Sequence, residues 1–320
     1  MQVLNSILDA IGNTPIVHLN QIGHELNANL WVKCEFMNPT GSIKDRIGKF
    51  IIDQAEQKGL LKPGGTIIEA TSGNTGMGLG MVAATRGYKC IFVMADKQSE
   101  EKRQALRAIG AQVVICPTDV AAEDPKSYYQ VAAKLVRETP NCFYANQYHN
   151  PDNPEAHYQS TGPEIWQQMG TDLDALVVGI GTGGTVVGIA KYLREKNPKI
   201  QVIGVDPIGS VYFDLFHHDK YIEPHGYKIE GIGEDFMPST MDLTCMNDII
   251  QVTDEESFDM TRKLITQEGL LCGGSSGSAV AGAIKYITKR MPNFERSKPN
   301  ILTILPDSSN RYLSKFLKIC

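Results

Sequence analysis

Nine short stretches rich in apolar and β-branched residues recur from residue 30 to residue 306, and between most of them lies a pattern of helical length. The strand candidates are LWVKCEF (30–36), TIIEA (66–70), KCIFVMA (89–95), QVVICP (112–117), CFYANQ (142–147), DALVVGI (174–180), QVIGVD (201–206), DIIQV (248–252) and NILTILP (300–306). The intervening segments include SEEKRQALRAIG and DEESFDMTRKLITQEG. Alternation of this kind dictates βαβ units and mainly parallel sheets covered by helices on both faces. Nine strands with their helices exceed one compact sheet of ordinary size, and 320 residues are enough for about two domains. The expected fold class is therefore α/β with two domains, each a mainly parallel twisted sheet flanked by helices. PDNPEAHY (151–158) and NPTG (38–41) are the best internal punctuation, and a third irregular stretch of about 207–247 has few strand or helix signals. Loops of that length are usually functional or mobile.

Charge narrows the partners. The net charge is -5, and lysine and arginine are scattered along the chain, which argues against nucleic acid or an anionic membrane and favours small molecules. No apolar run approaches the roughly 18 residues of a membrane span, and the opening MQVLNSILDAIGNTP lacks the basic head and unbroken apolar stretch of a secretory signal. A soluble, cytoplasmic protein is expected. Cys34, Cys90, Cys116, Cys142, Cys245, Cys272 and Cys320 are an odd number, widely spaced and never C-x-x-C, so neither structural disulfides nor a zinc knuckle are expected. His217 and His218 are adjacent, His18, His24, His149, His157 and His225 have no partner at helical spacing, and no metal site is expected. A hydrolase nucleophile elbow is not expected.

In open α/β sheets, ligands bind beyond the carboxyl ends of strands, where glycine-rich loops turn into helices. TSGNTG (71–76) follows one strand candidate directly. There Gly73 and Gly76 would let the backbone turn while Thr71, Ser72, Asn74, Thr75 and the helix N-terminal amides point outward, a setting for a carboxylate-sized anion. An ordinary capped turn needs one hydroxyl, not four polar side chains. GIGTGGT (179–185) follows another strand and offers a nest of donors fit for a phosphate. Gly179, Gly181 and Gly184 also satisfy G-x-G-x-x-G, with Asp206 ending the next strand where a ribose-binding acid would stand, so a dinucleotide-dependent oxidoreductase is a rival reading. CGGSSGSA (272–279) precedes a helical pattern that Ser275 or Ser276 would cap.

Lys44 breaks a local rule. In NPTGSIKDR (38–46) the loop residues give way to Ser42, a good N-cap, and apolar residues recur at Ile43, Ile47, Phe50, Ile51 and Ala55. Lys44 thus falls in the first helical turn, where a cation is disfavoured by roughly 0.3 to 1 kcal/mol and Asp45 offsets only part of the cost. Such exceptions are often functional. A lysine at a loop-helix junction, a phosphate nest and a separate carboxylate loop are what pyridoxal phosphate chemistry on an amino acid requires, and the dinucleotide reading leaves Lys44 and TSGNTG without a role.

NPTGSIKDR, TSGNTG, GTGGT and GGSSG, in this order, resemble the β-family of pyridoxal phosphate enzymes (fold type II, tryptophan synthase β-like). QYHNPDNPEAHY, GVDPIGSVY, EGIGEDFMP, QEGLLCGGSSGS and ILPDSSNRYLSKF are more similar to its cystathionine β-synthase group, while STGPEIW and the general scaffold also resemble cysteine synthase. The likeness runs from IGNTP to the C-terminus. It implies a larger cofactor-binding domain of residues 1–39 together with 152–320, a smaller, mobile domain of 40–151 that closes to keep water out, and a homodimer. It assigns Lys44 to the covalent bond with pyridoxal 5'-phosphate, Asn74 to the ring hydroxyl, Gly181, Thr182, Gly183, Gly184 and Thr185 to the phosphate, and Ser275 to the pyridine nitrogen. Thr71, Ser72, Thr75, Gln147, Tyr148 and Gly231 would contact substrate. The haem-binding segment and paired regulatory repeats of animal members have no counterpart in these residues, so neither haem nor S-adenosylmethionine control is implied. Glu234 stands where that group has tyrosine, and Thr40 replaces a common glycine.

The implied reaction is β-replacement: L-serine, or an O-activated serine, loses its β-substituent and the thiolate of homocysteine adds at Cβ to give L-cystathionine. A neutral Ser275 hydroxyl, unlike a carboxylate, leaves the ring nitrogen largely unprotonated and favours prompt loss of the β-substituent over racemisation or transamination. Cysteine synthesis from O-acetylserine and sulfide is the alternative, an NAD-dependent oxidoreductase a more distant one, and a non-enzymatic amino-acid binder the last.

Overall fold

In the computed structural model the described residues are 3–121, 123–289, 291, 294 and 296–313. Among them the strands are β1 (Ile16–His18), β2 (Asn29–Cys34), β3 (Thr66–Ala70), β4 (Lys89–Ala95), β5 (Gln112–Cys116), β6 (Cys142–Tyr144), β7 (Leu173–Gly179), β8 (Gln201–Pro207), β9 (Asp248–Val252) and β10 (Asn300–Leu305). The α-helices are α1 (Lys44–Gln57), α2 (Asn74–Arg86), α3 (Glu100–Ala108), α4 (Tyr128–Glu138), α5 (Asp152–Gln159), α6 (Thr161–Met169), α7 (Gly184–Lys196), α8 (Tyr212–His218), α9 (Asp254–Glu268) and α10 (Gly274–Lys289).

The chain folds as two compact units, one containing Asn38–Asn153 and the other Gly12–Met37 with Pro154–Asn310. The first holds a four-stranded sheet in the order β5-β4-β3-β6, every pair parallel. All five residues of β3 are buried, as a central parallel strand covered on both faces requires. Helix α4 packs on β3 and β4, and Ala70, Val93, Cys116 and Ala132 form a core cluster bordered by Tyr128, Tyr129 and Tyr144. The second unit holds a six-stranded sheet, β1-β2-β10-β7-β8-β9, antiparallel only at β1–β2. Helix α10 covers β7 to β10 there, with Val177, Val205, Val280, Ala283, Ile301 and Leu305 in one continuous core.

Residues 3–11 and 311–313 group with 38–153, whereas the expected larger domain took in both ends of the chain. At the carboxyl end the cause is specific: the Ser99 hydroxyl donates to the Arg311 carbonyl oxygen at 2.9 Å, the Arg311 guanidinium donates to the Thr40 carbonyl oxygen, and Lys102 lies over the Tyr312 ring, 4.5 Å from its centroid. The punctuation at PDNPEAHY lies mostly in a helix. Residues 152–158 belong to α5, and the division between the units falls within that helix. The stretch of 207–247 contains α8 and a 3-10 turn, Leu243–Cys245, but 219–242 has neither helix nor strand.

Candidate active site

Helix α1 starts at Lys44, but Ser42 does not cap it. The N-cap is Ile43, whose side chain makes no capping bond, and the buried Ser42 hydroxyl has no hydrogen-bond partner among the described residues. The carboxylate of Asp45 does the work instead, accepting from the Thr40 amide at 2.7 Å and from the Thr40 hydroxyl. This closes the NPTG loop onto the first turn and sets a negative charge beside Lys44, at the helix end that favours it. The start of α1 is fixed from the side as well. A β-carbon added to Gly78 would lie 2.5 Å from the Lys44 carbonyl oxygen, and one added to Gly48 would lie 2.5 Å from the Gly78 carbonyl carbon, so α1 and α2 meet backbone to backbone.

The other end of that contact is the loop TSGNTG. Helix α2 begins at Asn74 and is preceded by Gly73 at φ +124°, a conformation other residues rarely adopt. The Thr71 hydroxyl oxygen accepts from the amides of Gly73 at 2.9 Å and Gly76 at 3.3 Å. Gly76 itself is helical, and its bare Cα makes room for Leu106, Thr71 and Phe92 rather than for a turn. Thr75 donates its hydroxyl to Gln147 Oε1 at 2.6 Å, and Gln147 Nε2 donates to the Ala70 carbonyl oxygen at 3.3 Å. Tyr148 is buried next to it, its ring edge-on to Tyr129 with centroids 5.7 Å apart. Ser72 and Asn74 are half-buried. Lys44, Thr71, Ser72, Asn74, Thr75, Gln147 and Tyr148 therefore all belong to the first unit.

The second unit carries GIGTGGT between β7 and α7. Three successive carbonyl oxygens of the turn are held by groups from the irregular stretch: Ile180 by the Gly233 amide at 2.7 Å, Gly181 by the Tyr212 hydroxyl at 2.6 Å and Thr182 by the Thr240 hydroxyl at 2.6 Å. In a planar trans peptide the N–H points opposite to the C=O, so the amides of Gly181, Thr182 and Gly183 turn to the other side as a nest leading into the N-terminus of α7. Gly183 at φ +87° completes the cradle; a β-carbon there would fall 2.6 Å from Met241 Cα. Thr185 Oγ1 lies 3.2 Å from Nε2 of the fully buried His157, whose Nδ1 is 2.8 Å from Thr161 Oγ1. This donor set fits a phosphate.

Ser275 lies in the first turn of α10, not at its cap, and both it and Ser276 are buried. The preceding Gly273 amide donates to the Asp307 carbonyl oxygen at 2.9 Å, just past the end of β10. Since β10 pairs with β7, Ser275 and the phosphate nest both stand at the carboxyl end of one parallel sheet. Gly231 is exposed at φ +89°, two residues before the Gly233 amide that grips Ile180.

Residues 7–307 match the family of pyridoxal-phosphate dependent enzymes. The chain belongs to this family. Among curated members it is similar to cystathionine beta-synthase from Apis mellifera (48% identical, covering 99% of this chain and 62% of that one) and from Saccharomyces cerevisiae (42%, 98% and 63%). It thus spans about six-tenths of the length of the curated relatives it matches. Among solved structures it is similar to the O-acetylserine dependent cystathionine beta-synthase of Helicobacter pylori, with 39% identity, a TM-score of 0.90 and full coverage of both chains. An O-ureido-L-serine synthase follows at 36% identity and a TM-score of 0.89, covering 99% of this chain and 95% of that one. The fold class and the cofactor expected from the sequence both stand, and the dinucleotide reading falls. Asp206, its would-be ribose acid, is buried and accepts from the Phe213 amide at 3.0 Å.

Two buried polar groups lie against residues expected in the site: Glu69, the acid within β3, whose Oε1 accepts from the Gln147 amide, and His157 beside Thr185. The signal for Glu69 was its charge inside an otherwise buried strand that ends in TSGNTG; for His157 there was none, since Thr185 is far away in sequence. Burial pushes the thiols of Cys34, Cys90, Cys245 and Cys272 up to about 12, which disfavours the thiolate form. The six described cysteines are free, and Cys320 lies outside the described residues. Among the described residues no group of three or more His, Cys, Asp or Glu is placed to hold a metal ion, and no helix is long and apolar enough to cross a membrane.

Proposed function

We propose that this chain catalyses β-replacement on L-serine or an O-activated serine, with homocysteine as acceptor and L-cystathionine as product. The observation that carries the reading is Lys44: its helix opens against α2, the helix that starts from TSGNTG, so the amine-bearing turn and the carboxylate-suited loop share one rigid backbone contact. Lys44 would hold the cofactor covalently, Asn74 its ring hydroxyl, Gly181 to Thr185 its phosphate and Ser275 its ring nitrogen. Bound there, pyridoxal phosphate supplies an electron-accepting ring conjugated to the substrate amine. Once released by substrate, the Lys44 amine removes the Cα proton and returns a proton to the departing β-oxygen. Thr71, Ser72, Thr75 and Gln147 orient the substrate carboxylate, with Tyr148 packed beside them and Gly231 on the side of the acceptor.

A second reading, cysteine formation from O-acetylserine and sulfide, draws support from the Helicobacter pylori relative, whose name specifies O-acetylserine. Steady-state kinetics with serine, O-acetylserine and O-phosphoserine against homocysteine and sulfide separate the two. A visible cofactor band that borohydride removes and that Lys44→Ala lacks is required by either; a colourless protein without serine turnover refutes both. The free cysteines support a reducing, cytoplasmic setting. A homodimer is proposed from family resemblance, and light scattering would test it.

A further inference from the structure

A carboxyl group on the central strand of the first unit has no assigned role. Glu69 lies in β3, fully buried, one residue before the strand ends at Ala70. A buried acid is costly unless it is hydrogen-bonded, so its partners indicate what it is there to hold. Its hydrogen-bond partner is a backbone amide: Gln147 donates to Glu69 Oε1 at 3.2 Å, while the buried Oε2 has no partner among the described residues. Asn146 is left-handed, at φ +47°, which turns the chain just before Gln147. The turn is secured around this point. Ala145 donates to the Ile68 carbonyl oxygen at 3.2 Å, the amides of His149 and Asn150 donate to that of Asn146 at 3.0 and 2.9 Å, and Asn153 Nδ2 donates to that of Gln147 at 2.8 Å.

The Gln147 side chain then has only one orientation. Its Oε1 accepts from Thr75 and its Nε2 donates to Ala70, which defines the amide and leaves the second Nε2 hydrogen for a ligand. Shifting the Asn146–Gln147 backbone would move that hydrogen and release Thr75 together.

We propose that Glu69 is a positioning residue: by holding the Gln147 amide it fixes Gln147 against Thr75 and so sets affinity for the carboxylate of the amino-acid substrate. This rests on the functional reading above, in which Thr75 and Gln147 meet that carboxylate. Burial pushes the Glu69 carboxyl up to about 8, with the Gln147 amide and Lys44 drawing it back; Tyr144 of β6 is the other titratable group beside it. A carboxamide of equal length would reproduce the acceptor oxygen that the Gln147 amide uses.

The test uses the purified holoenzyme with Glu69→Ala, Glu69→Asp, Glu69→Gln and Gln147→Ala. Glu69→Ala and Glu69→Asp, which withdraw the acceptor, should raise KM for the amino-acid substrate about tenfold, as expected for loss of a hydrogen bond, with kcat, the thiol KM and the visible cofactor band little changed. Glu69→Gln should remain near wild type. In a Gln147→Ala background, Glu69→Ala should add almost nothing. Wild-type KM in soluble Glu69→Asp, equal losses in Gln and Ala, or a full additional loss in the Gln147→Ala background would overturn the proposal. Should Glu69→Ala fail to fold, the Asp and Gln variants decide it. A wild-type protein with no cofactor band would refute the functional reading itself and this inference with it; a coloured, active wild type with unresponsive variants refutes this inference alone.

Discussion

The carbonyl oxygen of Lys44 and the Cα of Gly78 are so close that a single methyl group between them would sit 2.5 Å from the oxygen. The lysine proposed to bind the cofactor therefore has its backbone position set by a residue with no side chain. Gly78→Ala should lower stability by about 1 to 3 kcal/mol, as overpacking does, and cut kcat/KM about a hundredfold by displacing the reactive group. Urea unfolding and steady-state kinetics on the soluble variant measure the two effects; wild-type turnover would show that Lys44 does not depend on this contact.

His157 bridges Thr161 and Thr185 from a fully buried position. Removing it leaves Thr185 without its imidazole partner, so His157→Ala should weaken cofactor binding about tenfold. The check is titration of the apoenzyme with pyridoxal phosphate, and an unchanged dissociation constant would mean that the imidazole serves only to pack α5 against α7.

Replacing the Ser275 hydroxyl by a carboxylate places an anion in a buried position where the ring nitrogen is expected. Ser275→Asp should protonate that nitrogen, alter the visible spectrum and divert turnover toward racemisation or transamination. Spectra and product ratios that match the wild type would remove Ser275 from its assigned role.

Burial pushes the Asp206 carboxyl up to about 7, opposed by hydrogen bonds from Ser210 and the Phe213 amide and reinforced by Asp214. An unfolded aspartate titrates near 3.9. Between these values the folded protein holds a proton that the unfolded chain has lost, so this contribution to stability is complete below about pH 4 and disappears as pH rises through about 7. Asp206→Asn should remove this part of the slope, seen as a flatter unfolding midpoint against pH; parallel curves would contradict the assignment.

Much of the scaffold is written in local sequence. TIIEA, KCIFVMA and DIIQV are strands over the spans their β-branched residues indicate, because strands of a parallel sheet covered by helices are mostly apolar. The three-residue β1 escaped notice as a short antiparallel edge with a polar histidine. Helix starts were harder. Ser42 and Ser275 look like caps, yet at one end Asp45 reaches back to Thr40 and at the other the helix begins a residue earlier, at Gly274. The site followed the same pattern. Its loops could be read because several donors crowd into a few residues, while the contact of Gly48 with Gly78, and the bonds from Tyr212 and Thr240 to the glycine-rich turn, join segments with no sequence proximity.

The grip on the turn at Ile180, Gly181 and Thr182 comes from a stretch that includes 219–242, which has no helix or strand of its own. Openings of that stretch would release the turn, and an anion seated on the turn must in return penalise those openings. Loading the cofactor should therefore slow amide hydrogen exchange at Gly233 and its neighbours, so that a segment which looks like mere connection serves as the thermodynamic reporter of occupancy.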